Sequence, residues 1–243
     1  MNYSIDVATD TVTIAVGDGT QMLGHVARPK VAPSGLPGIL IFQEAFGVND
    51  YLREVVVRFA ELGFVALAPE LYHRSGDGTV GAYDAGRREM AQYSKATTTE
   101  GLIADINAAY GFLEGEIDTT KGIAAVGFCF GGRVSYLANA HVPLKAAISF
   151  YGGKIPEWFA YVDRQKAPLL CFWGGRDRSI PVAETRKVAD RFEEAGLEHT
   201  QIVFSTAGHA FFRHVRAKDY DANAARIAWE ASVAFLRNSG VLR

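Results

Sequence analysis

Six short apolar runs, at 38–43, 63–68, 122–127, 145–151, 168–173 and 200–205, are separated by stretches whose apolar residues recur at helical spacing. Runs this brief, bounded by turn residues and lacking a polar alternation, are expected to be strands buried on both faces. Between them, Asn49 or Asp50 caps a predicted helix carrying Leu52, Val55, Val56, Phe59 and Leu62, which Gly63 ends. Thr97 with Glu100 forms a capping-box pattern ahead of the stripe Leu102, Ile103, Ile106, Ala109, Tyr110 and Leu113. Residues 182–195 and 219–237 read as two further helices. Strand and helix in alternation predict a doubly wound α/β fold with a mostly parallel central sheet and helices on both faces. Ahead of it, Val12–Val16 and Met22–Ala27 flank the turn Gly17–Thr20 as an N-terminal antiparallel hairpin at the sheet edge. The irregular, Gly-rich zone 72–82 follows a strand end, where loops commonly frame a site.

Composition narrows the classes of function. With 49% apolar residues, the 243-residue chain is long enough to bury one large core, and 1–243 is read as a single domain. The formal net charge is −2 with Lys and Arg scattered, which argues against a nucleic-acid partner. No window approaches the roughly 18 apolar residues of a spanning helix, so no membrane partner is expected. The N-terminus Met1–Asp6 lacks a basic then apolar leader, and a cytoplasmic location is expected. Two cysteines in unlike contexts suggest no disulfide, and no Cys/His cluster has metal-ligand spacing. Neither a cofactor nor a metal is expected.

The chemistry concentrates at Gly127-Phe128-Cys129-Phe130-Gly131-Gly132, which follows the apolar run at 122–127 and precedes a helical pattern from Arg133. It has the form of a G-x-S-x-G nucleophile elbow with Cys in place of Ser. Small residues flank such a nucleophile because the chain turns from strand to helix too sharply for side chains there. The sulfur would face a pocket at a helix N-terminus, where backbone N–H groups and the helix dipole favour negative charge. A buried cysteine acting as a small hydrophobe is the plain alternative, but it needs no glycine frame. Cys171, inside the apolar run 168–173, fits that plain reading.

A thiol nucleophile needs a base, and the base an orienting partner. In folds built on this elbow the acid and then the histidine follow on loops after later strands. Asp177, in Trp173-Gly174-Gly175-Arg176-Asp177, follows one predicted strand, and His209, in Ala207-Gly208-His209-Ala210-Phe211, follows the next. The plain readings are a helix-capping Asp and a structural His, with His214 as a rival. The strand 38–43 leads into Gln43-Glu44-Ala45-Phe46-Gly47, the loop that supplies one oxyanion donor in such folds. The donors are expected to be the backbone N–H groups of Ala45 and Phe130. Glu44 beside the thiol would oppose thiolate formation unless it is paired or gated.

With these residues in hand, the chain resembles the dienelactone hydrolase family, α/β-hydrolases with a Cys nucleophile, over essentially its whole length. The Cys elbow and the glutamate loop occur together. The resemblance implies a Cys129–His209–Asp177 triad acting on small ester or lactone substrates, and a Glu44 that shares a proton or hydrogen bond with the thiol until substrate enters. It also implies substrate-carboxylate binding by Arg74, in Tyr72-His73-Arg74, and by Arg213, in His209-Ala210-Phe211-Phe212-Arg213. Phe150 departs from the pattern, standing where members acting on dienelactones have Tyr. The alternatives are a general carboxylesterase or thioesterase of the same fold and, in a different class, a non-catalytic thiol redox sensor. A nucleotide-binding module is disfavoured because the glycines do not follow G-x-G-x-x-G.

Overall fold

The computed structural model describes residues 5–31, 35–76, 87–117 and 120–242. Eight strands form one sheet: β1 (Val7–Ala15), β2 (Gln21–Pro29), β3 (Gly38–Phe42), β4 (Val65–Pro69), β5 (Ile123–Phe128), β6 (Ala146–Phe150), β7 (Leu169–Gly174) and β8 (His199–Phe204). Their spatial order is β1-β2-β4-β3-β5-β6-β7-β8. The hairpin β1–β2 is antiparallel and joins β4 antiparallel, while every pairing from β4 to β8 is parallel. Each hairpin strand is longer than its alternating segment in the sequence, because the outer turns of the ladder carry polar residues that the pattern does not register. The strands β3, β4, β5, β6 and β7 are buried along their whole length, which is why their sequences are continuously apolar.

The helices are α1 (Asp50–Glu61), α2 (Arg87–Ala96), α3 (Thr99–Glu116), α4 (Phe130–His141), α5 (Val182–Glu194) and α6 (Ala222–Asn238), with short 3₁₀ segments at His73–Ser75 and Ile155–Arg164. In α1, Leu52, Val55, Val56 and Phe59 all face the core, and the Asn49 side chain accepts from the Leu52 amide at the cap. Gly63 ends it at φ +100°, a left-handed conformation that a side chain would strain. At α3 the expected cap shifts by one residue. Thr97 donates its hydroxyl back to the Tyr93 carbonyl at the end of α2 (2.8 Å), so Thr98 caps instead, accepting from the Gly101 amide (3.0 Å). The sequence reading assigned no element to α2 or to Ile155–Arg164. The expected loop 72–82 is described only to Gly76, where it begins as a 3₁₀ turn.

Strand order explains where a site forms. From β3 the chain crosses to β4 on one side, then passes back over β3 to β5 on the other. Right-handed crossovers therefore place α1 on one face of the sheet and α3, α4 and α5 on the opposite face. Aromatic contacts follow this division: Phe59 of α1 meets Trp229 of α6 (5.0 Å between ring centroids), and Tyr136 of α4 stacks on Phe192 of α5 (5.7 Å). The reversal beside β3 and β5 opens a crevice at the carboxyl ends of the strands. Beneath it, Phe128, Phe150 and Phe172 on adjacent strands pack in a row (4.8 and 4.6 Å). Phe150 is fully buried within this row and does not line the crevice, so this aromatic belongs to the core.

Candidate active site

Cys129 occupies the hinge between β5 and α4 at φ 53°, ψ −111°, a conformation that non-glycine residues rarely adopt. Such strain costs roughly 1–3 kcal/mol and persists only where the surroundings impose it. Here they do. The Cys129 amide donates to the Phe150 carbonyl of β6 (2.9 Å), and Gly132 closes the turn onto the Cys129 carbonyl (3.0 Å). A Cβ on Gly127 would collide with the Gly131 carbonyl, and one on Gly131 with the Phe42 carbonyl of β3. The glycine frame is thus a matter of backbone packed against backbone.

On this hinge the Cys129 sulfur lies 3.1 Å from His209 Nε2, and His209 Nδ1 lies 2.6 Å from Asp177 Oδ2. A carboxylate can only accept, so Nδ1 carries the proton in that bond and Nε2 faces the sulfur. Burial by itself lowers the His209 pKa, but the charge of Cys129 and the hydrogen bonds to Asp177 and Cys129 prevail and raise it to about 10. Asp177 is fixed in turn: its Oδ1 accepts from the Ser179 amide (2.7 Å) and the Ile180 amide (3.1 Å). It does not cap α5, whose N-cap is Pro181. The rival His214 is exposed and paired with Glu54 (3.2 Å). Cys171 is buried and held up to about 12 by its surroundings, as a core thiol.

The crevice above the sulfur encloses about 610 Å³, and Ala45, Phe130, His209 and Arg213 line it with Cys129. The amide of Phe130 opens α4, where helix N–H groups have no intrahelical acceptor. Neither its amide nor that of Ala45 donates to an acceptor among the described residues.

The charged residues fall differently from expectation. Glu44 is 2% exposed, and its Oε2 accepts from Arg213 (2.9 Å); among the described residues it makes no hydrogen bond to Cys129. Arg213 is also buried and donates to Asp219 (2.6 Å). Burial lowers the Arg213 pKa, but the facing Glu44 charge together with the hydrogen bonds to Glu44 and Asp219 outweighs it, so it is raised overall. Arg74 is a correction, since it does not line the crevice. Its guanidinium binds Asp105 through two bonds of 2.9 Å and Asp18 through bonds of 3.0 and 2.6 Å, while His73 Nε2 also meets Asp105 (3.0 Å). Asp105 is wholly buried on α3, and so costly a charge takes the nearest cation for itself. Sequence reasoning missed Arg133, Lys154 and Trp158, which line the same crevice. Arg133 was findable: it follows Cys129 by one helical turn and so shares its face. Trp158 sits in a 3₁₀ segment with no periodic signal. Among the described residues, no group of three or more His, Cys, Asp or Glu side chains is placed to hold a metal ion.

A mostly parallel sheet with a strained thiol elbow at its carboxyl edge, and His and Asp on the loops after later strands, defines an α/β-hydrolase. The chain belongs to the dienelactone hydrolase family, whose model matches residues 22–240, and it is a carboxylic ester hydrolase. It is 35% identical to the "Putative carboxymethylenebutenolidase" of Synechocystis sp. over 93% of this chain and 95% of that protein. It is 30% identical to the "Carboxymethylenebutenolidase" of Pseudomonas putida, over 94% of this chain and 96% of that protein. Among solved structures, the "Putative Dienelactone Hydrolase from Klebsiella pneumoniae" superposes with a TM-score of 0.88 at 28% identity, covering 96% of this chain and 99% of that one.

Proposed function

We propose that this chain hydrolyses small ester or lactone bonds, with anionic substrates preferred, through a thioester formed on Cys129. The observation that carries the reading is the unbroken contact from Cys129 Sγ through both His209 nitrogens to Asp177. His209 Nε2, 3.1 Å from the sulfur, takes the thiol proton and leaves the thiolate that attacks, and the raised His209 pKa favours the imidazolium this transfer produces. The sulfur adds to the substrate carbonyl carbon, and the oxyanion lies against the amides of Ala45 and Phe130. Each such donor contributes about 3 kcal/mol to the transition state. When the intermediate collapses, the C–O bond breaks and the His209 proton passes to the departing enolate or alkoxide. Water then adds to the thioester, His209 takes its proton, and the acid leaves as the thiolate re-forms. Asp177 holds the imidazole in the required orientation and tautomer throughout.

Thiolate is itself a good leaving group, so the scheme favours substrates whose other leaving group is as good, such as enol esters and enol lactones. Arg213 supplies the cation for a substrate carboxylate, which must compete with Glu44. A displaced Glu44 becomes available to share a proton with the thiol, which gives that carboxylate its part in activation. Among the described residues no helix is long and apolar enough to cross a membrane.

Stopped-flow hydrolysis of an activated aryl ester by the native protein and by Cys129→Ala tests the chemistry. The alanine variant should lose about 10³-fold or more in kcat, as nucleophile removal does in triad enzymes. Full activity in that variant would overturn the reading. Equal kcat/KM on a neutral aryl ester and an anionic enol lactone would instead point to a general carboxylesterase.

A further inference from the structure

The cations of the crevice are not balanced alike. Arg213 faces Glu44 and Asp219, and Arg216 shares Asp219 (3.4 Å). Elsewhere in the lining one half-exposed carboxylate, Glu157, serves both Lys154 (3.0 Å) and Arg133 (3.4 Å), with Arg133 at the longer distance. Arg133 nevertheless has a side chain only 14% exposed. Aromatic faces hold it there: its guanidinium carbon lies 5.2 Å from the Phe130 ring centroid and 4.8 Å from that of Trp158. Stacking covers the faces of a guanidinium and leaves its in-plane N–H donors directed outward. Trp158 is braced in turn by an indole N–H donated to the Thr99 hydroxyl (3.3 Å).

We infer that Arg133 is a specificity-determining residue, a second anion subsite, distinct from Arg213, that binds an acidic group on the substrate portion lying against α4 and Trp158. The inference rests on the hydrolase reading above and adds to it a substrate class: esters carrying a carboxylate or similar oxyanion on that side. Three features set this site apart from an ordinary surface arginine. It sits one helical turn from the nucleophile, two aromatic rings flank its guanidinium, and its one carboxylate partner among the described residues is shared and half in solvent. A bidentate carboxylate fits the fork of a guanidinium better than that single long contact does. Phe130 provides the link to chemistry, because its ring lies beside Arg133 and its amide is the oxyanion donor proposed above.

The test compares kcat/KM for matched aryl esters, one with a neutral acyl chain and one with a terminal carboxylate, in native protein, Arg133→Gln, Arg133→Lys and Trp158→Leu. The inference predicts that Arg133→Gln lowers the ratio of carboxylated to neutral ester at least tenfold, mainly through KM. Arg133→Lys should restore part of that ratio, and Trp158→Leu should reduce it less than Arg133→Gln does. The pH dependence of Cys129 alkylation by iodoacetamide should stay where it is in Arg133→Gln. An unchanged ratio, or equal losses on both esters with a displaced alkylation profile, would overturn the inference and make Arg133 a support of the nucleophile. Loss of all turnover in Cys129→Ala, measured alongside, keeps the hydrolase reading separate. If Cys129→Ala retained full turnover, that reading would fail whatever the ratio.

Discussion

His209 shows how neighbours decide the state of one group. Desolvation alone favours the neutral imidazole, yet a sulfur at 3.1 Å and a carboxylate at 2.6 Å raise its pKa from 6.5 to about 10. Because the folded value lies above that of a free imidazole, the stability it adds is fully present below about pH 6.5 and is lost as pH rises through about 10. The melting temperature of native protein minus that of His209→Gln should therefore be greatest near pH 6 and shrink by pH 10.5. A gap that is flat across this range would contradict the ion pair. Cys129, His209 and Asp177 were legible in the sequence because each is tied to a strand end. Glu44 and Arg213 were legible as residues, but their mutual pairing was not. They are 169 positions apart, and only the folded crevice shows that the carboxylate meets an arginine before it meets the thiol.

At the scale of elements, the elbow depends on how closely β3, β5 and α4 approach. Gly131 lets the first turn of α4 lie directly on the end of β3, where an added Cβ would meet the carbonyls of Phe42 and Gln43. Both are backbone atoms of a buried strand end and have little freedom to withdraw. Gly131→Ala should therefore cost about 3 kcal/mol or more in a urea titration. Gly111, within α3 with open space around it, is the control. Its alanine variant should be more stable by about 0.5–1 kcal/mol. The reverse ranking would mean that the elbow tolerates a side chain, and the packing argument would fail. Periodicity revealed α1, α3, α5 and α6, but not α2 or the 3₁₀ segment Ile155–Arg164. The 3₁₀ segment turns with three residues where the search assumes 3.6, and α2 carries mostly polar residues. The Thr97-to-Thr98 cap shift has the same origin, since the end of α2 claims the first hydroxyl.

Across the whole molecule, topology gathers the site. Parallel strands bring the ends of β3, β5, β7 and β8 to one edge, so residues from 45 to 209 meet although no short stretch of sequence holds them together. Order in the chain foretold that gathering for the triad, because every strand adds a loop at the same edge. It did not foretell Arg74, whose strand end is right but whose side chain turns to the buried Asp105 and to the hairpin turn at Asp18. Nor did it point to Arg133 and Trp158, which meet only because the 3₁₀ segment folds back over α4. The fold thus concentrates one thiol, one imidazole and several cations in a crevice of about 610 Å³. The most direct test of that design is intact-protein and peptide mass measurement on enzyme acid-quenched during turnover of an activated ester. The account predicts a transient adduct of the acyl mass on the peptide bearing Cys129, absent from Cys129→Ala; turnover with no adduct, or an adduct on another residue, would contradict it.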